Sequence, residues 1–249
     1  MFDLKDKVVL VTGANSGIGK AAALGLAKAG ATVVVSDLPG SDSDETMKEV
    51  REHAPDSIFI GIDVADEDSV AKGIADIVEK FGRLDVGVNN AGIGGGHKPL
   101  HETSAEEWNK VVNVNLTGQF YCVKHELLQF LKQGGGTIVN VASLGGLLTI
   151  PGEGSYIASK HGSLGLTKTI AAEYGNKGIR ANAVCPYYIA TPMTANADEA
   201  TLKAWKADTP MERLGSPEEC ASAVVFFASD ASGYCNGDTL VLDGGKHIR

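Results

Sequence analysis

Short hydrophobic runs rich in valine and isoleucine alternate with longer amphipathic segments along the chain. Most of the runs are continuous, which is typical of strands covered on both faces in a parallel sheet. They predict seven strands, at residues 7–11, 31–36, 57–62, 84–89, 137–141, 179–185 and 239–242. We therefore expect the core to form around one central sheet.

The segments between the runs carry signals that begin helices. Ser104 is followed three residues later by Glu107, and Ser216 by Glu219 with Pro217 at the first helical position, so both sets predict capping boxes. Alternating strands and helices predict an α/β fold with a doubly wound (Rossmann) sheet that is mainly parallel. The 249 residues contain no low-complexity linker, so we expect one domain over residues 1–249.

A glycine-rich turn, TGANSGIG, directly follows the first strand and opens the first helix. Its glycines let the backbone turn tightly and approach a pyrophosphate, and the helix N-terminus supplies amide donors. This placement predicts a dinucleotide site. We expect its contacts to come from Gly13, Asn15, Ser16, Gly17, Ile18 and Gly19.

Asp37 ends the second predicted strand and is expected to select the dinucleotide. A carboxylate at this point accepts hydrogen bonds from the ribose hydroxyls of NAD and repels the 2′-phosphate of NADP. Its neighbour Ser36 is uncharged, and Ser16 stands where a basic residue could hold that phosphate. NAD is therefore the predicted cofactor, although an aspartate before Pro39-Gly40 is also compatible with an ordinary turn.

Tyr156 and Lys160 lie four residues apart in SYIASK, and Ser143 precedes the tyrosine. Four-residue spacing places both side chains on one helix face, where an ammonium favours the ionised form of a phenol. The pair is therefore a candidate for proton transfer. Taken alone, it is also compatible with a surface lysine beside a half-buried ring.

With these features together, the chain resembles the short-chain dehydrogenase/reductase family over essentially its whole length. The resemblance rests on motifs that follow the family's order: TGANSGIG, Asp63-Val64, NNAG at 89–92, VNLTG at 114–118, Ser143, YIASK, TPM at 191–193 and DGG at 243–245. Each motif is short, and their joint presence makes the resemblance specific.

The resemblance implies roles for individual residues. Tyr156 is the implied general acid or base, Ser143 positions the substrate, and Lys160 binds the nicotinamide ribose and lowers the pKa of the tyrosine. Asn115, selected by N-L-x-G, is the implied catalytic asparagine, which holds a helix kink and a proton-relaying water. Further cofactor contacts are implied for Asp63 and Val64 at the adenine, Asn90, Ala91 and Gly92 beside the adenosine ribose, and Pro186, Ile189 and Thr191 near the nicotinamide.

The chain departs from the family pattern after the sixth strand. The usual Pro-Gly is Pro186-Tyr187 in this chain, and Tyr188 follows. A glycine permits backbone torsions that tyrosine resists. We therefore expect either a different path of this loop or a Tyr187 side chain that fills part of the pocket.

Apolar residues dominate the segments expected to contact the substrate. Leu147, Ile150, Tyr187 and Tyr188 are, with Ser143, the predicted substrate contacts, and no arginine lies among these segments to bind a carboxylate or phosphate. A neutral secondary alcohol or ketone is the expected small-molecule substrate. Any single leucine here is equally compatible with a core or interface position. By resemblance, residues 194–208 form a mobile lid over the substrate.

Two classes of function remain open from the sequence. The first is an NAD-dependent alcohol dehydrogenase or ketone reductase, within which a 3-oxoacyl thioester reductase is the alternative that the resemblance also permits. The second is a scaffold that senses the dinucleotide without turnover. The four implied catalytic residues favour an enzyme, because a sensor needs only the glycine turn. Asp37 counts against biosynthetic reductases that use NADPH.

Charge and composition argue against other partners. Asp and Glu (31) outnumber Lys and Arg (22), and the net charge of −9 disfavours nucleic acid. No apolar run is long enough to span a bilayer, and the acidic start is unlike a signal peptide, so we expect no membrane association and a cytoplasmic location. The four cysteines and six histidines lack metal-ligand spacing, so no metal is expected.

The two longest predicted helices, residues 104–131 and 155–174, carry more apolar residues than one core-facing stripe requires. Excess apolar surface of this kind is typical of an interface. By resemblance, these helices pair with their copies and the carboxyl-terminal strand forms a second contact, which implies a homotetramer. The apolar residues in question are Phe120, Leu127, Leu128, Leu164 and Leu166.

Overall fold

The computed structural model describes residues 2–248, and their strands join in one seven-stranded sheet. The strands are β1 Val8–Thr12, β2 Thr32–Asp37, β3 Ile58–Gly61, β4 Val86–Asn89, β5 Gly136–Val141, β6 Ile179–Pro186 and β7 Thr239–Leu242. Their order across the sheet is β3-β2-β1-β4-β5-β6-β7, and all neighbouring pairs are parallel. The predicted doubly wound sheet is confirmed, and it is parallel throughout.

Helices cover both faces of this sheet. They are α1 Gly17–Lys28, α2 Asp44–Arg51, α3 Glu67–Phe81, α4 Ala105–Val112, α5 Gly118–Gln133, α6 Gly154–Tyr174, α7 Glu199–Ala207 and α8 Pro217–Ala228. One core layer joins α1, α2 and α8 to the sheet, and the other joins α3, α5 and α6 to the opposite face. Burial on both faces explains why the strands read as continuous apolar runs.

Both predicted capping boxes are present. Ser104 Oγ accepts a hydrogen bond from the Glu107 amide at 3.1 Å, and the Glu107 carboxylate accepts one from the Ser104 amide at 3.1 Å. Ser216 and Glu219 make the equivalent bonds at 3.2 and 2.8 Å. The sequence therefore predicted correctly where α4 and α8 begin.

The helix expected over residues 104–131 is not regular along its whole length. A π turn, Asn113–Thr117, separates α4 from α5. Gly118 follows this turn at a point where a Cβ would lie 2.8 Å from the carbonyl oxygen of Val64. The expected helix is therefore present, with an irregular turn in its backbone next to the close approach of Gly118 to Val64. The kink that the resemblance implied at Asn115 lies within the π turn.

The expected excess of apolar surface on the long helices is only partly present. Leu127 and Leu164 are buried in the core, and Leu166 is half-buried. Phe120 and Leu128 are exposed on α5. Two of the five residues were therefore misassigned, because the stripe that faces the sheet is wider than the sequence pattern indicated.

Within residues 2–248, no helix combines the length and the apolar character needed to cross a membrane. That range also contains no group of three or more His, Cys, Asp or Glu side chains that could hold a metal ion.

Candidate active site

The carboxyl ends of the strands open into a cleft of about 570 Å³. The cleft lies beside β1 and β4, where the order of strands across the sheet reverses. Doubly wound sheets bind ligands at this point. Its walls combine the glycine turn, the ends of β2 to β6 and the start of α6. The predicted residues that line it are Gly13, Ser16, Gly17, Ile18, Asp37, Asp63, Val64, Asn90, Ala91, Gly92, Ser143, Tyr156, Lys160, Pro186, Tyr187, Ile189 and Thr191.

The glycine turn requires its glycines for two reasons. Gly13 and Gly17 have φ angles of 63° and 53°, which side chains disfavour. A Cβ at Gly19 would lie 2.1 Å from the carbonyl oxygen of Gly13. Ser16 precedes α1. Among the described residues, its side chain makes no capping hydrogen bond to this helix. The first amides of α1 are thus suited to bind phosphate oxygens.

Asp37 lies at the far end of the cleft, against the glycine turn. Its Oδ2 accepts a hydrogen bond from the Asn15 amide at 3.2 Å, and its Oδ1 accepts one from the Leu38 amide at 2.9 Å. The side chain of Asn15 donates to Ser41 Oγ at 2.9 Å and is turned away from the cleft lining. A carboxylate in this position fits the hydroxyls of a ribose.

Thr12 joins the glycine turn to the neighbouring β4. Its Oγ1 accepts hydrogen bonds from the amides of Asn90 and Ala91, both at 3.1 Å. The Asn90 side chain donates in return to the carbonyls of Thr12 and Gly13 at 3.0 Å. This reciprocal set fixes two walls of the cleft relative to each other, and the role of Thr12 was not predicted from the sequence.

Ser143 and Tyr156 meet at the other end of the cleft. Ser143 follows β5, and its Oγ accepts a hydrogen bond from the Gly145 amide at 3.0 Å. A Cβ at Gly145 would lie 3.4 Å from Ser143 Oγ and 3.5 Å from Tyr156 Cε1, so both side chains surround this glycine. Helix α6 thus presents its tyrosine beside the serine, as the sequence spacing predicted.

Lys160 and Asn115 lie behind the tyrosine. Lys160 is buried, and its Nζ donates to the carbonyl of Val141 at 3.0 Å and lies 5.6 Å from the centroid of the Tyr156 ring. The Asn115 side chain accepts from the Ile93 amide at 2.8 Å and donates to the Ile93 carbonyl at 2.9 Å. The π turn therefore ties α5 to the loop that follows β4.

Burial is the largest influence on the pKa values of Tyr156 and Lys160. Burial raises the pKa of Tyr156, while its hydrogen bond with Ser143 lowers it and the charge of Glu153 raises it further. Burial also lowers the pKa of Lys160 to about 8. The resemblance implies that Lys160 lowers the pKa of the tyrosine. Desolvation is the largest effect on Tyr156 here and raises its pKa, and the lysine donates to Val141.

The substrate side differs most from expectation. Leu147, Ile150 and Tyr188 are absent from the cleft lining given above. Leu147 is exposed, and Tyr188 stacks on Trp205 of α7 with centroids 4.4 Å apart. Cleft residues that sequence reasoning missed include Met193, Lys110 and Val141. Met193 ends the TPM motif, and the other two belong to no motif.

Tyr187 lines the cleft. Of the two expected outcomes, this is the one in which its side chain fills part of the pocket. Its backbone avoids the left-handed region, which among described non-glycine residues is occupied by Asp6, His97 and Glu212. Its hydroxyl donates to Asp208 Oδ2 at 2.6 Å, and Lys246 Nζ lies 2.5 Å from Asp208 Oδ1. The tyrosine is therefore accommodated without backbone strain and reaches the end of α7.

Comparison with known proteins places this site in a family. A family model described as enoyl-(acyl carrier protein) reductase matches residues 13–247. The 3-oxoacyl-[acyl-carrier-protein] reductase of Thermotoga maritima is 41% identical over 98% of this chain and 99% of its own. The cyclohexanol dehydrogenase of Acinetobacter sp. is 41% identical over 96% of this chain and 94% of its own.

A solved structure extends the comparison. Carveol dehydrogenase from Mycobacterium avium, in complex with NAD, superposes with a TM-score of 0.94 at 30% identity, covering 100% of both chains. The chain therefore belongs to the short-chain dehydrogenase/reductase family. The relatives described here are oxidoreductases.

Proposed function

We propose that this protein transfers a hydride between NAD(H) and a neutral, hydrophobic secondary alcohol or ketone. One observation carries the proposal: a single cleft has Asp37 at one end and three implied catalytic residues at the other. These residues are Ser143, Tyr156 and Lys160. Glycines and helix amides suited to a pyrophosphate lie between the two ends. This lining fits a nicotinamide dinucleotide, and the NAD complex of the related carveol dehydrogenase supports that cofactor.

The side chains at the tyrosine end suit proton transfer to or from a substrate oxygen. When bound, the nicotinamide accepts or supplies the hydride. Tyr156 exchanges the proton of the substrate oxygen through its hydroxyl, and Ser143 hydrogen-bonds the same oxygen. Lys160 provides a buried positive charge beside the phenol, and Asn115 holds the adjoining loop at Ile93.

The raised pKa of Tyr156 gives the two directions of reaction opposite pH dependence. A phenol that stays protonated near neutral pH can donate a proton, as ketone reduction requires. Alcohol oxidation requires the phenolate, which becomes more populated as pH rises. We therefore expect reduction to be favoured at neutral pH and oxidation to accelerate in alkaline solution.

The preference for NAD rests on Asp37, whose carboxylate faces the glycine turn. The neutral substrate class rests on the apolar and aromatic groups that line the cleft with Tyr156, among them Ile93, Tyr187 and Met193. We also propose that residues 194–208 act as a lid over the substrate. Thr194 at the start of this region lines the cleft together with the preceding Met193, and α7 within the region contacts Tyr188 through Trp205.

A 3-oxoacyl thioester reductase remains the second candidate. The Thermotoga maritima enzyme, named as such a reductase, is as similar in identity as the cyclohexanol dehydrogenase. Asp37 favours the first candidate, because biosynthetic reductases usually draw on NADPH. A dinucleotide sensor without turnover is disfavoured by the complete set of Asn115, Ser143, Tyr156 and Lys160.

A spectrophotometric screen separates these candidates. Neutral secondary alcohols, hydroxy acids and 3-oxoacyl thioesters would each be tested with NAD(H) and NADP(H). We expect turnover of neutral alcohols or their ketones with a clear preference for NAD(H). Thioester reduction with NADPH would establish the second candidate, and cofactor binding without turnover of any substrate would support the sensor.

We further propose a homotetramer in the cytoplasm. Exposed Phe120 and Leu128 on α5 provide apolar surface for assembly, and three of the four cysteines are buried free thiols, which suits a reducing compartment. Assembly that involves α5 and α6 would also hold Tyr156 and Lys160 in place. Light scattering at micromolar concentration, combined with activity, tests this, and a fully active monomer would refute it.

A further inference from the structure

The loop that follows β4 forms part of the substrate side of the cleft. This 93–97 loop, residues 93–97, begins with Ile93, which lines the cleft, and continues with three consecutive glycines. A Cβ at Gly94 would meet nothing within 4 Å. Glycines restrict the backbone little, so the position of the loop depends on contacts with other elements.

One end of the loop is held by Asn115. The asparagine side chain makes hydrogen bonds with both the amide and the carbonyl of Ile93, at 2.8 and 2.9 Å. These two bonds fix Ile93 relative to the π turn. They do not reach the glycines or His97.

The other end is held by Glu153, which immediately precedes helix α6. Glu153 as a whole is 7% exposed. Oε2 accepts a hydrogen bond from the Gly95 amide at 3.2 Å, and Oε1 lies 2.5 Å from His97 Nδ1. The Lys98 amide adds a bond to the Gly152 carbonyl at 2.9 Å. The loop is therefore fastened to the start of the helix that carries Tyr156.

Two local features show that the chain is shaped around this contact. A Cβ at Gly95 would lie 2.3 Å from Glu153 Oε2 and 3.5 Å from the Tyr156 Cβ, so glycine is required for the approach. His97 has a φ of 51°, in the left-handed region that non-glycine residues disfavour. The backbone thus accepts an unfavourable torsion at the residue that pairs with the buried carboxylate.

We propose that Glu153, paired with His97, is a positioning residue that fastens the 93–97 loop to the catalytic helix and thereby sets the substrate end of the cleft. This rests on the proposed function, because it assigns the loop to substrate binding. Glu153 acts through the loop and through Tyr156, which lies one helical turn further along α6. Its partners are Gly95 and His97, while the nearby Lys98 is paired with Glu107 at 2.6 Å.

Kinetics of three variants test the proposal. Glu153→Ala removes both contacts, Glu153→Gln keeps an acceptor for the Gly95 amide but loses the charge, and His97→Asn removes the imidazole while tolerating the left-handed backbone. For the substrate found in the screen, we expect KM to rise about tenfold in Glu153→Ala, in line with loss of hydrogen bonds to a buried charged group. Smaller increases are expected for the other two, and the KM for NAD should not change.

The matched control is His101→Asn. His101 is an exposed histidine four residues beyond His97, where it lies 3.5 Å from the exposed Glu102. We expect wild-type constants for this variant. The pH profile gives a second readout: removal of the Glu153 charge in Glu153→Gln should lower the pKa of Tyr156 and shift the kcat/KM profile for oxidation toward lower pH. A purely structural role would not move that profile.

Hydrogen exchange tests the anchor without any substrate. In the intact protein, amides of residues 93–98 should exchange at least about tenfold faster in Glu153→Ala than in wild type or His101→Asn. If Glu153→Ala fails to fold, His97→Asn, altered at an exposed side chain, serves the same comparison. Wild-type exchange and wild-type KM in these variants would overturn the proposal, as would equal losses for substrate and NAD. Inactivity of the wild type toward every substrate would instead refute the proposed function. The exchange experiment would still test whether Glu153 holds the 93–97 loop.

Discussion

The cofactor side and the substrate side of the cleft are held together by different kinds of contact. On the cofactor side, glycines with positive φ angles, helix amides and the bonds of Thr12 with Asn90 are made by short motifs and backbone groups. On the substrate side, side chains distant in sequence meet in pairs. Glu153 pairs with His97, and Tyr187 with Asp208.

The difference shows how substrate choice can change while cofactor binding persists. Backbone contacts of the glycine turn tolerate few substitutions, since a Cβ at Gly19 would lie 2.1 Å from the Gly13 carbonyl oxygen. Pairs such as Tyr188 with Trp205 involve side chains alone. Substitutions on the two sides should therefore have separable effects, and this separation can be tested.

The largest effect is expected at Tyr156, where the two sides meet. Tyr156→Phe keeps the ring and removes the hydroxyl, so we expect turnover to fall at least ~10²-fold while NAD affinity stays nearly unchanged. Steady-state kinetics and calorimetric titration with NAD measure the two quantities. Tyr234→Phe, at a fully exposed tyrosine, is the control. Retention of most activity would remove Tyr156 from its proposed role.

The sequence predicted the cofactor side better than the substrate side. Strand placement, both capping boxes and the positions of Asp37 and Tyr156 follow from local patterns that the structure retains. The π turn at Asn115 could not be predicted from pattern alone, because it depends on the contacts of Gly118 with Val64 and of Asn115 with Ile93.

Differences from expectation on the substrate side have the same physical origin. Leu147 and Ile150 were expected at the substrate because they follow Ser143, yet they are not among the residues that line the cleft. Glu153 lies in no motif, and only the folded arrangement brings it to this region. Contacts between distant side chains leave little trace in a single sequence.

A second large effect, on the stability of the fold, is expected at Glu126. Glu126 on α5 is fully buried and accepts a hydrogen bond from Asn89 at 3.1 Å, at the end of β4. Burial raises its pKa from 4.5 to about 7. Below about pH 4.5, Glu126 is protonated in both the folded and the unfolded chain. Between about pH 4.5 and 7 the unfolded chain releases this proton while the folded chain keeps it, so the free energy of unfolding falls as pH rises through this range.

Glu126→Gln removes this titration. Relative to wild type, its free energy of unfolding should therefore improve between pH 5 and pH 8 by roughly 2–3 kcal/mol. Urea denaturation at both pH values measures the difference, and Glu52→Gln at an exposed glutamate should show no such change. A difference between mutant and wild type that is independent of pH would contradict the assigned pKa of Glu126.

Cofactor choice should be separable from substrate choice at Asp37. Replacing it by alanine removes the ribose acceptor, and Leu38→Arg adds a phosphate partner at an exposed position that lines the cleft. We expect the ratio of kcat/KM for NADP to that for NAD to rise about tenfold or more, since a hydrogen bond to a charged group is involved. KM for the alcohol should stay the same. A wild-type preference for NADP would refute the assignment of Asp37.

The smallest effect is expected at Tyr187, on the substrate side alone. Tyr187→Phe removes the hydrogen bond to Asp208 Oδ2 but keeps the ring, whose centroid lies 4.1 Å from that of Tyr188. Asp208 retains Lys246, so α7 stays attached at that point. Loss of one such bond corresponds to about 1 kcal/mol, so we expect a rise of roughly fivefold in the KM for the alcohol. The KM for NAD should remain at the wild-type value, and equal increases for both ligands would show that the two sides are not separately built.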